Sequence, residues 1–324
     1  MTMQAIVQHR YGGSEALRLE EVPAPVPGRG EVLVRVGAAG VDRGTWHAMV
    51  GRPLAARLAL GLRAPRDRTP GRDVAGTVEA VGDDVTSHAV GDAVYGTARG
   101  SFAELAVVPV SRLSRRPGNL TVEEAGAVPV SAITALQALR AGRARAGDRV
   151  LVIGASGGVG SYATQLAVDL GAVVTGVCGP SKVDLVRSLG AQDVIDHTST
   201  PLERIDERFD VVIDIAGHRR VRALRALLTE RGSLVIVGSE HPGRWVGGLH
   251  RSIGAALLSP FVRQRLVMLA ASENGADLAT ITEVIERGGV RPALERTFPL
   301  SQAAAAIDHV SGGLTRGKVV IVLA

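Results

Sequence analysis

The sequence predicts an α/β protein in which a doubly wound parallel sheet is joined to a β-rich unit. Two observations carry that prediction. From residue 148 onwards, apolar runs of strand length alternate with helical stretches, which is the pattern of a parallel sheet. Residues 4–110 instead hold short alternating or apolar runs (Ala5–Val7, Glu31–Val36, Ala75–Val81, Phe102–Val108) broken by Gly, Pro and Asp. That is the pattern of a partly closed all-β unit.

The parallel sheet is expected to begin at Arg149–Ile153, an apolar run too short for a helix. Gly154–Gly160 (GASGGVG) then turns the chain into a segment with helical spacing at Tyr162, Leu166, Ala167 and Leu170, closed by Gly171. Val173–Val177 follows as a β-branched strand and completes a βαβ unit. Glycines at such a turn let the backbone approach a pyrophosphate, and the N–H groups of the helix's first turn favour an anion. Gly154, Gly157 and Gly160 stand three apart, with Ser156, Gly158 and Val159 beside them. In this strand-turn-helix setting the glycines point to a dinucleotide. A ligand-free connector is the bland alternative.

The end of the second strand bears on which dinucleotide. An NAD-selective fold places a carboxylate about 20 residues past the glycines, against the ribose 2′-hydroxyl. Here that place reads Cys178, Gly179, Pro180, Ser181, Lys182, with no acid before Asp184. A small residue, a hydroxyl and an ammonium suit a 2′-phosphate, so NADPH is the expected cofactor. Lysine is otherwise scarce, occurring only at 182 and 318. Lys182 opening the next helix as a solvated charge is the alternative.

Further strands are expected at 193–195, 210–214, 233–237 and 265–270, with a helix over 181–189. Ligands bind at the carboxyl ends of such strands, which singles out His197, the Asp214–Gly217 turn (DIAG) and Gly238. Thr121 and Glu124 have the spacing of a capping box at the start of a helix. Residues 52–70 place Leu54, Leu58 and Leu62 at helical spacing, as a lid or a surface loop.

Composition narrows the class. At 324 residues two domains are expected. Apolar residues make up 46% and charged residues 21%, as in a globular protein with ample core material. The net charge of +5 would permit nucleic-acid binding, but the arginines are scattered and aromatics are only 3%, so none is expected. Cys178 is the single cysteine, which excludes an intrachain disulfide and fits a reducing compartment. With no apolar stretch of membrane-span length and no signal-like Met1–Tyr11, a cytoplasmic protein is expected.

GEVLVRV, AGTVEAVGDDVT, GDAVYG, GASGGVGSYATQLA, LGAQDVID and the closing GKVVIV together resemble the medium-chain dehydrogenase/reductase superfamily, in its zinc-independent, quinone-oxidoreductase-like branch. The resemblance covers almost the whole chain. It implies a GroES-like β-rich domain over 1–122, a Rossmann domain over 123–272 and a return to the first domain over 273–324. Where zinc-dependent relatives carry GHE, this chain reads Gly71-Arg72-Asp73, and a ligand cysteine is missing near Asp42. Tetrahedral zinc needs three or four N, S or O ligands, so no metal is expected.

The resemblance also implies site residues. The loop 40–53 matches the family's substrate loop, with Asp42, Gly44 and Trp46 where the family has asparagine, aspartate and tyrosine. Trp46 would stack on a flat substrate, and His47 or Asp42 would hydrogen-bond its oxygen; packing and a solvated histidine are the alternatives. Thr134 would face the nicotinamide, His197 the adenosine phosphate, and Asp214 the nicotinamide or its own turn. Lys318 would lie near the cofactor or serve structure. Trp245 and Phe261, in an apolar stretch, would wall the substrate pocket, and Arg265–Ala270 would pair with its twin in a homodimer.

The expected activity is zinc-independent hydride transfer from NADPH to a quinone, enone or related conjugated carbonyl. An enoyl or 2-alkenal double-bond reductase of secondary metabolism, and a cofactor-binding protein with little catalysis, are the alternatives.

Overall fold

The computed structural model describes residues 1–217, 219–238, 262–313 and 315–323. Contacts divide the chain into two units: Met1–Ile133 with Glu273–Ala324, and Thr134–Ser272. The first boundary falls inside a helix, Pro129–Gly142.

The first unit opens with strands β1 (Thr2–Gln8) and β2 (Leu17–Pro23), an antiparallel pair. Strand β3 (Glu31–Val41) is followed by helix α1 (Arg43–Val50) and the four-residue α2 (Arg57–Leu60). Then come β4 (Asp73–Val81), β5 (Ala93–Thr97), β6 (Leu105–Pro109) and β7 (Leu113–Arg115). Helices α3 (Val122–Gly126) and α4 (Pro129–Gly142) lead into the second unit. Strand β3 pairs with β4 along one edge and with β6 along the other, Val32, Leu33, Val34 and Arg35 taking part in both pairings. Its Val32, Val34 and Val36 enter one hydrophobic core while Leu33 enters another with Met3, Ala5 and Val7. A strand covered on both faces reads as a near-continuous apolar run, as this one does.

The second unit is a six-stranded parallel sheet. In chain order its elements are β8 (Arg149–Ile153), α5 (Gly158–Asp169), β9 (Val173–Cys178), α6 (Val183–Ser188), β10 (Asp193–Asp196), β11 (Phe209–Asp214), α7 (Val221–Ala226), β12 (Leu228–Ile236) and β13 (Arg265–Met268). The spatial order is β10-β9-β8-β11-β12-β13, so the winding reverses between β8 and β11. Leu151, Val212 and Leu234 from the central strands are buried in its core.

The chain returns to the first unit with α8 (Gly275–Glu286), β14 (Leu294–Pro299), α9 (Ala303–Ser311) and β15 (Lys318–Val322). Strand β15 pairs with both β14 and β3.

Several elements differ from the sequence expectation. Within 4–110, expected to be all-β, the chain also forms helix α1, and the returning segment adds α9, which buries Ala303, Ala306, Ile307 and Val310 as a helical face on the sheet's core. The phenolic Tyr95 hydroxyl donates to the Leu278 carbonyl of α8 at 3.1 Å. Phe102 and Ala103 are not in β6 but bond across to β1, through the Ile6 N–H to the Phe102 carbonyl at 2.8 Å and a bridge from Ala5 to Ala103. The leucines of 52–70 form no long helix, Leu58 and Leu62 are exposed, and among the described residues none of the three joins a core cluster. The expected helix 181–189 is split into a 3-10 turn, Pro180–Lys182, and α6.

Candidate functional site

Each unit carries a candidate site, and they are built differently. On the parallel sheet the site is mostly backbone. Gly154 has φ +91, a left-handed conformation that a side chain would strain. A Cβ on Gly160 would stand 2.0 Å from the Gly154 carbonyl oxygen, so the helix packs against the turn only with glycine there. Gly157 caps α5 without any side-chain bond, and a Cβ on it would meet nothing closer than 3.6 Å. Helix α5 therefore presents the N–H groups of its first turn, Gly158 and Val159 included, beside an uncrowded glycine. That is a cradle an anion fits. Ser156 is buried.

Four further strand ends join this edge. The His197 N–H donates to the Cys178 carbonyl at 3.1 Å, and the His197 ring lies 3.7 Å from where a Gly179 Cβ would be. Cys178 is buried, Ser181 and His197 are exposed, and Lys182 caps α6 from the end of the 3-10 turn. Burial first, and then the Asp196 carboxylate, push the Cys178 thiol above its ordinary range, with the Lys182 ammonium opposing. Sequence reading missed Asp196. It stands on the strand next to the second one, beyond the reach of a spacing rule. Its carboxylate accepts from the Thr198 N–H at 2.9 Å and hydroxyl at 2.8 Å, which hold it below the usual range.

Asp214 is fully buried and its carboxylate accepts from the Gly217 N–H at 3.1 Å, closing the turn after β11. Gly238 follows β12, with the position of its Cβ 3.6 Å from the Ile215 carbonyl oxygen. Thr134 lies half-buried in α4 between the buried Ile133 and Ala135. Trp245 and Phe261 lie outside the described residues.

On the β-rich unit the site is made of side chains. A cavity of about 270 Å³ is bounded by Gly44, Thr45, Ala48 and Met49 of α1 and by Leu60 and Pro65 of the following loop, among others. Three guanidiniums (Arg72, Arg99, Arg112) and two carboxylates (Asp67, Glu273) also line it. Glu273 forms ion pairs with Arg72 and, at 3.4 Å, with Arg112. The buried Gln8 amide donates to the Met49 carbonyl at 2.7 Å and holds α1 against β1.

The residues expected to act on substrate stand elsewhere on α1. Asp42 is its N-cap: the carboxylate accepts from the Thr45 N–H at 2.8 Å and the Thr45 hydroxyl at 3.1 Å. Trp46 packs against the hydrophobic core, with the Arg43 guanidinium 5.5 Å from its ring centre. His47 stacks obliquely beside it at 5.0 Å. None of the three lines the cavity.

Lys318 has the structural alternative's surroundings. It is 2% exposed, and its ammonium donates to the fully buried Asp73 at 2.9 Å and to the Ser131 hydroxyl at 3.1 Å. The other Asp73 oxygen accepts from the Val130 N–H at 2.7 Å, at the start of α4. Burial pushes the Asp73 carboxyl up, and Lys318 and the α4 N–H oppose it. Among the described residues no group of three His, Cys, Asp or Glu side chains has the arrangement of a metal site, and no helix is long and apolar enough to cross a membrane.

Comparison with known proteins supports the fold and places the chain in a family. Residues 28–118 match the family model described as alcohol dehydrogenase GroES-like domain, and 189–321 match that described as zinc-binding dehydrogenase. The chain is 32% identical over 339 residues to the quinone oxidoreductase of Mus musculus, covering 99% of this chain and 98% of the relative. It is similar in structure to the quinone oxidoreductase of Coxiella burnetii, with TM-score 0.88, 26% identity and full coverage of both chains. The mycobacterial Rv1454c, solved in complex with NADPH, matches with TM-score 0.85 and 27% identity over 99% of this chain and 100% of that one. The chain belongs to the medium-chain dehydrogenase/reductase superfamily, in its quinone-oxidoreductase-like branch.

Proposed function

We infer that the protein is an NADPH-dependent reductase that passes hydride to a quinone, enone or related conjugated carbonyl without zinc. The observation that carries this reading is the glycine cradle at the switch point of the sheet, followed on the next strand by Cys178, Ser181 and Lys182 with no acid among 178–182. Bound NADPH supplies a hydride from its nicotinamide C4. The first turn of α5 binds the pyrophosphate, and Ser181 and Lys182 take the 2′-phosphate by hydrogen bond and charge. His197 stands beside Gly179 to flank the adenosine side, and the Asp214–Gly217 turn and Gly238 shape the edge beyond the switch point. The proton that completes the reduction comes from solvent. The single cysteine and the arginine at position 72 support zinc-free chemistry.

The edge strand β13 would be covered by pairing with a second copy, which favours a homodimer. The test of the cofactor reading is tryptophan fluorescence titrated with NADPH and NADH, for wild type and Lys182→Ala. NADPH should bind at least about tenfold more tightly, with that margin lost in the variant. Equal affinities in wild type would refute the 2′-phosphate site, and no binding of either would refute the reductase.

A further inference from the structure

The cavity on the β-rich unit is lined by more charge than a quinone or simple enone requires. Its α1 wall is small and apolar at Gly44, Ala48 and Met49, which suits a flat hydrocarbon body. Facing it are the Arg72, Arg99 and Arg112 guanidiniums, against only two carboxylates. Among the described residues Arg72 and Arg112 both pair with Glu273, whose side chain is 14% exposed. With Asp67 counted, the lining holds three guanidiniums against two carboxylates, an excess of one positive charge among the described residues. The Arg72 side chain is 40% exposed, and its Nη1 reaches to 3.0 Å from where a Cβ on Gly44 would be. It thus lies beside the start of α1, where Asp42 Oδ1 stands 2.8 Å from the same point, and it lines the cavity. Its backbone is fixed as well: the Arg72 carbonyl accepts from the Ala98 N–H at 2.8 Å, and Asp73 beside it is locked to Lys318. A half-exposed guanidinium paired to Glu273, on the wall of a cavity where guanidiniums outnumber carboxylates, suits a carboxylate ligand.

We propose that the acceptor carries an ionised carboxylate besides its conjugated carbonyl, and that Arg72 binds this carboxylate while Glu273, shared with Arg112, sets the orientation of Arg72. The class is that of 4-oxo-2-enoates bearing an apolar group on the ketone. This rests on the reductase reading above for the reaction, but the anion site is independent of it. In the reaction, hydride adds to the alkene carbon β to the ketone and the C=C π bond breaks. The electron pair moves onto the ketone oxygen as an enolate, and a solvent proton then adds at the carbon next to the ketone. NADPH is oxidised and the alkene reduced.

The test separates binding from turnover. Fluorescence titration compares 3-benzoylpropanoate, which has no reducible alkene, with its methyl ester, in wild type, Arg72→Gln and Arg72→Lys. The acid should bind at least about tenfold more tightly than the ester, because a charge-assisted hydrogen bond is worth about 1.5–3 kcal/mol. That ratio should collapse in Arg72→Gln, recover in part in Arg72→Lys, and shrink as KCl is raised. Circular dichroism confirms that each variant is folded. Equal binding of acid and ester in wild type, or an unchanged ratio in a folded Arg72→Gln, overturns the proposal. Turnover of trans-3-benzoylacrylate with NADPH is read separately. Acid-selective, Arg72-dependent binding with no oxidation of NADPH by this or any quinone would refute the reductase and leave the anion site standing. Turnover with no preference for acid over ester would do the reverse.

Discussion

The carboxyl edge of the parallel sheet and the cavity of the β-rich unit, the two candidate sites, are built by opposite routes. At the sheet edge the working groups are backbone N–H donors, and the side chains mainly have to be absent: Gly154, Gly157 and Gly160 matter for what they lack. At the cavity the working groups are long side chains brought from Arg72, Arg112 and Glu273, far apart in the chain. A site of backbone is written within one short run of residues. A site of side chains exists only once the sheet has assembled. Arg72 and Asp73 put the contrast within two neighbours, one guanidinium turned to the cavity and one carboxylate buried against Lys318.

The hardest blow to the side-chain route is expected from Lys318→Met. It leaves the Asp73 carboxylate buried without its cation, and should destabilise the protein by about 3–5 kcal/mol in urea unfolding. Adding Asp73→Asn should restore much of that loss, since the uncompensated charge is gone. A Lys318→Met protein of wild-type stability would mean that the pair holds nothing together.

The backbone route is tested by Gly160→Ala. Its Cβ cannot occupy a point 2.0 Å from the Gly154 oxygen, so the turn must shift. An overpacking loss of about 1–3 kcal/mol is expected in thermal unfolding. NADPH binding should weaken by about ten- to hundredfold, because the N–H donors move with the turn. Unchanged cofactor affinity would mean that the turn's backbone donors do not hold the cofactor.

A smaller effect is expected at the start of α1. Asp42→Ala removes an N-cap and should cost about 1 kcal/mol, whereas Asp42→Asn, an equally good cap, should keep stability. If Asp42→Asn is stable yet inactive in a turnover assay, the carboxylate has a chemical role that its hydrogen bonds do not suggest. The least disruptive test is alkylation of Cys178 at pH 7. Its thiol is pushed up chiefly by burial, so the reactive thiolate is scarcer than in a free cysteine, and iodoacetamide should react only as the protein unfolds. Rapid reaction in the native state would show that this strand end is more open than its burial indicates.

Much of the second unit was legible from the sequence because its signals are local. The apolar run 149–153, the glycines of 154–160 and the β-branched run 173–177 each specify their own conformation, and the order of strands and helices implies a parallel sheet. The capping box at Thr121 and Glu124 is local in the same way, and it forms: the Glu124 N–H donates to the Thr121 hydroxyl at 3.2 Å. The leucines at 54, 58 and 62 show where such reasoning stops. Their spacing is helical, but a stripe makes a stable helix only against a core, and among the described residues none of the three joins one.

The sequence by itself determined the two-unit α/β architecture, the glycine turn at the start of α5 and the absence of a cysteine ligand set. The reason is that backbone conformation and composition are set residue by residue. Only the tertiary structure decided that Trp46 packs inward, that Asp42 spends its carboxylate on a cap, that Lys318 is sealed against Asp73, and that Arg72 and Arg112 meet over Glu273. Each of those outcomes depends on which side chains the folded sheet brings within a few ångströms. Charge energies change steeply with that distance and with burial.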